Sequence, residues 1–415
     1  MKFEMIDGLL TITLDLISSS VFAVALLMFG YFIRRKVNFF EKYCFPAPVI
    51  GGFAFALLAL VFHITGAASF KLDTTLQTPF MLAFFTTVGL GGSFALLKAG
   101  GKALIIYLVA CWVLAILQNG FGVGLASILG LHPLMGVMAG AVSLEGGHGA
   151  AATFGPEAEA MGAYGAAAVA IASATFGLIA GNLTGGPIAR RLITKNKLEI
   201  KVSKVDGLSS YMDKITQQET EEKVTSKGFL FSMLIIGLLM LLGVAASDWI
   251  RALKIPNFFI PGYVGAMFGA ILLRNVNDKF QFIKLNTKII NLISEVSIGM
   301  FLSFAMMSLR IWDLASLAVP LLIILFLQVA LLIVLTYFVL FRLLGRDYDA
   351  AVMCAGMLGH GLGATPNAVA NMGAVCEHYG LRSNKAFTIV PLCGAVLIDL
   401  VALPCISLFL GIFGG

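Results

Sequence analysis

The sequence predicts an all-α polytopic membrane protein built from two inverted five-helix repeats, each carrying a re-entrant hairpin. Three observations carry that expectation. Of 415 residues, 59% are hydrophobic and only 12% charged, and the apolar residues fall in runs of about eighteen or more, the length a helix needs to cross a bilayer. Two Gly-rich polar stretches, Ala139 to Thr153 (AGAVSLEGGHGAAAT) and Gly356 to Asn371 (GMLGHGLGATPNAVAN), share the order Gly-His-Gly, small residues, Thr. Gly-rich backbone makes poor continuous helix, and irregular backbone persists at membrane depth only where protein or a watery cavity covers it. The third observation is their position, at corresponding places in two halves with an odd number of spans each.

Taken in order, the apolar runs Leu14–Ile33, Pro48–Phe62, Phe80–Leu97, Ala103–Ile128 and Met161–Ala189 form a first repeat over residues 1–192, interrupted before its fifth span. Residues 1–33 lack a basic start and a small-residue cleavage site, so they read as a first span and not a signal peptide. A charged segment over residues 193–228 is expected to be a solvated cytoplasmic linker. Then Phe229–Ala246, Phe259–Leu273, Ile289–Met307, Leu314–Phe341 and Ala386–Gly411 form a second repeat over 229–415, interrupted at the equivalent point. Pro46 and Pro48 before Gly51-Gly52 are echoed by Pro256 and Pro261 before Gly262 and Gly265; Asn182 with Pro187 is echoed by Asp399 with Pro404.

Charge gives the orientation. With both termini outside, the cytoplasmic segments hold Arg34, Arg35, Lys36, Lys98, Lys102, the linker's basic residues, Arg274, Lys279, Arg342, Arg346 and Arg382, whereas only Lys2, Lys71, Arg251, Lys254 and Arg310 face outward. The net charge of +6 therefore follows from topology and does not point to nucleic acid. The six cysteines, Cys44 among them, are scattered without metal-ligand spacing and read as small apolar residues.

The polar residues inside this apolar chain are the candidate site. Gly146, Gly147, Gly149, Gly359, Gly361 and Gly363 allow close backbone approach and positive φ; close helix packing is the plain alternative. Helix starts at the two tips would expose N–H groups able to hold a carboxylate, and helix ends would offer carbonyls to Na⁺. His148 and His360 fit hydrogen-bonding struts or proton carriers, and no second His or Cys stands near either at metal spacing. Thr365 precedes Pro366 and fits an N-cap, while Asn367 and Asn371, four apart, share a helix face. Asp399 is the clearest ionisable residue within a span, and Glu145 is similar but nearer a loop. Gln118 and Asn119 are expected to bond neighbouring helices.

Several of these motifs occur together in one known family. Pro79-Phe-Met-Leu-Ala-Phe-Phe, Pro133-Leu-Met-Gly, Gly146-Gly-His-Gly149, the run Thr175 to Pro187, Tyr348-Asp-Ala-Ala-Val, Gly361-Leu-Gly-Ala-Thr-Pro, Ala370-Asn-Met and Ile398-Asp399 give a chain that resembles the glutamate:sodium symporters of bacteria over nearly its full length. The resemblance implies an elevator-type secondary transporter of the inner membrane and not an enzyme. It further implies a homodimer, hairpins meeting near mid-membrane, and a transport domain moving against a scaffold. Its implied cargo is glutamate or a related anionic amino acid or dicarboxylate, with Na⁺ as coupling ion and no other cofactor.

On this reading the backbone of Gly146, Gly147, Gly149, Gly361 and Gly363, with Ser143, His148, Thr153, Thr365 and Asn367, binds substrate, and Asp399, Asn371 and Glu145 bind Na⁺. Glu145 and Ala402 depart from the family pattern, which has a small hydroxyl residue and an Asn at these places. A channel-like pore and a proton-coupled carboxylate carrier are the alternatives. An enzyme using the two histidines as bases lacks a matched nucleophile or metal set.

Overall fold

The structure, a computed structural model, describes residues 2–6, 9–42, 45–200, 223–253, 260–312 and 317–414. Most of the expected linker, Cys44, Lys254 and Pro256 lie outside the described residues.

Helices α1 (Leu16–Lys36), α2 (Ala47–Thr65), α3 (Gln77–Gly91) and α4 (Phe94–Ile128) precede a first hairpin. That hairpin is a short arm α5 (Pro133–Val137), a π turn over Met138–Val142, and α6 (Gly147–Ala160). The half ends with α7 (Ala166–Lys195). In the second half α8 (Ser226–Ala252), α9 (Gly262–Phe280), α10 (Thr287–Met307) and α11 (Ala318–Val334, running on as a π turn over Leu335–Leu340) lead to a second hairpin, α12 (Tyr348–His360) and α13 (Thr365–Tyr379). Finally α14 (Asn384–Leu392) and α15 (Asp399–Phe413) flank a π turn at Cys393–Leu397.

Local chemistry sets the ends. The Asp15 carboxylate accepts the Ser18 N–H at 2.9 Å and caps α1, whose last turn carries Arg34, Arg35 and Lys36 where the helix dipole favours cations. Thr225, Asn286, Asp347 and Ser383 cap α8, α10, α12 and α14 the same way. Among the described residues seven helices are long and apolar enough to cross a membrane unaided: α1, α2, α4 from Gly101, α7, α8, α10 and α11 with its extension. The other three expected spans appear as helices that are short (α3), charged at one end (α9, with Arg274, Asp278 and Lys279) or broken (α14–α15).

The structure corrects the expected boundaries at glycines. The span expected at Phe80–Leu97 stops at Gly91, and the chain restarts at Phe94 and bends at Gly101 (φ 61°, ψ −161°). Met161 does not open the fifth span: Gly162 (φ 95°) and Gly165 (φ 85°) make a turn first. The fold is also not wholly helical. Strands β1 (Lys2–Ile6), β2 (Leu9–Leu14) and β3 (Ala68–Leu72) form one sheet, β1 antiparallel and β3 parallel to β2. The alternation in Leu10-Thr-Ile-Thr, too short for a span, favours a strand, and Thr11 bonds Ser69 across the ladder at 2.9 Å.

The helices sort into two packed groups, α1–α3 with α8–α10, and α4, α7, α11, α14, α15 with both hairpins. Within the first group the packing repeats itself: α1 lies on α2 as α8 lies on α9, and α2 crosses α10 as α9 crosses α3. The seams match in chemistry. A Cβ on Gly30 would stand 1.9 Å from the Ala47 carbonyl oxygen, and one on Gly243 would stand 2.2 Å from the Ala266 backbone. Lipid supplies no hydrophobic force between helices, so such small-residue contact is how they attract.

Candidate functional site

The site is where the two hairpins end. The 13 residues of α12 and 15 of α13 rise only about 20 Å, too little to cross a core of about 30 Å. Their tip lies on α7, where a Cβ on Gly177 would come 1.9 Å from the Leu362 carbonyl oxygen. Gly177 is about 16 Å along α7, so the tip sits a little over a third of the way along that helix. The other tip meets it there. Gly147 has φ +59°, and a Cβ on it would lie 3.3 Å from the Gly363 carbonyl oxygen, so the tips touch backbone to backbone. The N-terminal ends of α6 and α13 converge there, with the carbonyl ends of the π turn and α12 beside them.

Side chains brace this junction. His148 and His360 are 4% and 2% exposed, so neither faces lipid or bulk water. His148 Nε2 is 3.0 Å from the Thr175 hydroxyl on α7, and His360 Nε2 is 2.9 Å from the Tyr107 hydroxyl on α4. Asn367 and Asn371 share one face of α13 and both turn to α7: Asn367 Nδ2 donates to the Leu178 carbonyl at 2.8 Å, and Asn371 Nδ2 donates to that of Gly181 at 2.9 Å. The Oδ1 of Asn367 is buried without a hydrogen-bond partner. Room for these amides comes from a glycine face at Gly177, Gly181 and Gly185, where a Cβ on Gly185 would overlap the Asn371 amide at 2.1 Å.

Ser143 and Thr153 turn inward on the first hairpin itself, donating to the carbonyls of Met138 and, at 2.8 Å, Gly149. Thr365 is half-buried and is the first residue of α13. The capping place expected for it belongs to Ala364, which is extended (φ −159°, ψ 162°) and has no side-chain bond to offer.

Gln118 and Asn119 bond neighbouring elements, as their place in a span predicts. Gln118 Nε2 donates to the Gly361 carbonyl at 3.0 Å, the Ala141 N–H donates to Asn119 Oδ1 at 3.1 Å, and Gln328 Nε2 donates to the Gln118 carbonyl at 2.7 Å. One turn of α4 therefore holds both hairpins.

Two carboxyls lie beside the junction. Both Glu145 oxygens are buried with no hydrogen-bond partner, and Asp399, half-buried at the start of α15, lies within electrostatic reach of Glu145. An ionised carboxylate so placed is costly unless a cation or a proton meets it. The oxygen-only donors suit a hard cation such as Na⁺. No hydrogen bond joins Asn371 to Asp399 among the described residues; the Asn371 amide is committed to α7 and, at 3.3 Å, to the Ala355 carbonyl. Sequence reasoning missed Tyr107 and Thr175. A hydroxyl inside an apolar span was the available signal, but nothing in one dimension pairs it with a histidine.

Comparison with known proteins follows the same line. Residues 12–381 match the family model described as sodium/glutamate symporter. The sodium/glutamate symporter of Haemophilus influenzae is 37% identical over 382 residues, 91% of this chain and 93% of that protein. Those of Escherichia coli and Shigella flexneri are each 37% identical over 398 residues, 96% of this chain and 98% of theirs. With the match running through both hairpins and almost end to end, the chain belongs to the sodium/glutamate symporter family, a family of transporters.

Proposed function

We propose that this protein imports glutamate, or a closely related anionic amino acid or dicarboxylate, together with Na⁺ across the bacterial inner membrane by an elevator-type movement. The observation that carries this reading is the contact of the two hairpin tips, Gly147 against Gly363, beside Glu145 and Asp399. Backbone N–H groups at the starts of α6 and α13 would hold the substrate carboxylates, with His148, Thr365 and the free oxygen of Asn367 around them. Ser143 and Thr153 would shape the first hairpin through their backbone bonds. Asp399 and Glu145 would hold the cation, with Asn371 fixing the second hairpin on α7. Filling both sites together favours closed tips, so each ligand raises the other's affinity.

The repeated packing of α1 on α2 and α8 on α9 supports two inverted repeats over 1–192 and 229–415, joined by the linker at 193–228. The sorting of helices into two groups supports a transport unit that slides on a scaffold. We place both termini outside from the charge asymmetry, and the scaffold group is the natural site for a homodimer contact. Uptake of labelled glutamate into proteoliposomes tests the proposal: uptake should require inward Na⁺, and equal uptake with Li⁺, K⁺ or choline in its place would reject sodium coupling.

A further inference from the structure

A second site lies away from the hairpin junction, on the outer surface of the helix group that holds it. Between α4 and α11 runs an open apolar groove of about 310 Å³, lined along α4 by Ile105, Val109 and Val113 and along α11 by Leu332, Val339 and Leu343, with Met357 of α12 near its floor. Its α4 residues recur at helical spacing, and so do its α11 residues, so each helix gives one whole stripe. Ile105, Val109, Val113, Val339 and Leu343 are exposed, in helices apolar enough to cross the membrane, so they face hydrocarbon.

The two helices run antiparallel. Gln328 bonds the Gln118 carbonyl, and Leu114 and Leu332 both press on Gly361. Ile105 and Leu343 therefore line the same end of the groove, where Lys102 of α4 and Arg342, next to Leu343, are both exposed. Lys102 also stands three residues before Ile105, on the stripe that lines the groove. One end of the apolar slot is thus ringed by cations. An apolar groove ending in a basic rim fits an anionic phospholipid. We infer that an acyl chain of such a lipid occupies the groove, with its phosphate at Lys102 and Arg342. Because Leu114 and Leu332 also support Gly361, the lipid props the tip of the second hairpin. This inference needs only that the chain spans a membrane and does not depend on the proposed cargo.

Full-length protein in nanodiscs holding equal phosphatidylglycerol and phosphatidylcholine, extracted and weighed intact by mass spectrometry, provides the test. The wild type should retain phosphatidylglycerol about tenfold to thirtyfold over phosphatidylcholine, the weight of two basic side chains at a membrane surface. Lys102→Gln with Arg342→Gln, both surface changes, should abolish the preference but still retain a lipid, and Val109→Trp with Val339→Trp should lose the lipid. Unchanged retention in the groove-filling variant, or no headgroup preference in the wild type, would overturn the inference. So would efficient cross-linking of Val113→Cys between two copies in the nanodisc, because the groove would then be a contact between chains.

Discussion

At the residue scale the site rests on a few atoms whose removal has separable effects. Gly147 holds φ +59° with the Gly363 carbonyl facing its missing side chain, and an L-residue there costs about 1–2 kcal/mol in the left-handed region. Gly147→Ala should therefore weaken glutamate-dependent protection against unfolding while leaving membrane insertion intact; unchanged ligand-induced stabilisation would count against tip contact. Tyr107→Phe leaves the buried His360 nitrogen with only the weak Cys111 Sγ contact at 3.7 Å, an expected loss of about 1 kcal/mol of stability, readable as a lower unfolding temperature in detergent. Asp399→Asn keeps the shape and removes the charge. It should cut sodium-driven uptake by about tenfold or more, the effect of ~1.4 kcal/mol at the barrier, with the sodium dependence of the residual uptake flattened. Retention of full sodium dependence in Asp399→Asn would move the cation to Glu145 alone.

At the scale of elements, α7 and the hairpins fit each other through absent side chains. Gly177, Gly181 and Gly185 stand at successive turns of α7, and the Leu362 carbonyl lies where the side chain of Gly177 would be. Gly177→Val should displace the second tip, so uptake is lost although the protein inserts and extracts as wild type; wild-type uptake would mean that the hairpin does not dock on α7 during transport. The same logic joins α4 to α5, where a Cβ on Gly122 would meet the Gly136 carbonyl at 2.1 Å and one on Gly136 would meet that of Gly122 at 2.0 Å. These elements were legible in the sequence because Gly-His-Gly between apolar runs is a poor helix. The seams were not, since a glycine at helical spacing looks the same whether it faces a hairpin, a neighbouring span or lipid.

At the scale of the molecule, the two helix groups meet within one continuous apolar core, and an aromatic cluster marks the seam. Tyr263 of α9 lies tilted against Phe85 of α3, with ring centres 5.0 Å apart, and meets Phe154 of the first hairpin edge-on at 5.6 Å. An elevator movement must break the second contact and keep the first. A disulfide between Phe154→Cys and Tyr263→Cys should therefore arrest uptake, and reduction should restore it; undiminished uptake by the cross-linked protein would exclude sliding of the groups along this seam.

Sequence by itself determined the membrane class, the place of the two interruptions between apolar runs, and which residues are polar where polarity is expensive. Those follow from local properties: length of apolar runs, glycine's conformational freedom and the cost of charge in hydrocarbon. Only the tertiary structure decided that Tyr107 and Thr175 receive the two histidines, that Asn371 serves α7 and makes no bond to Asp399, and that Glu145 and Asp399 lie within electrostatic reach of one another. Each of these pairs lies on different helices or hairpin arms, and their partnership depends on rotation and depth of packed helices, which close contact between small residues sets and no single run of sequence encodes.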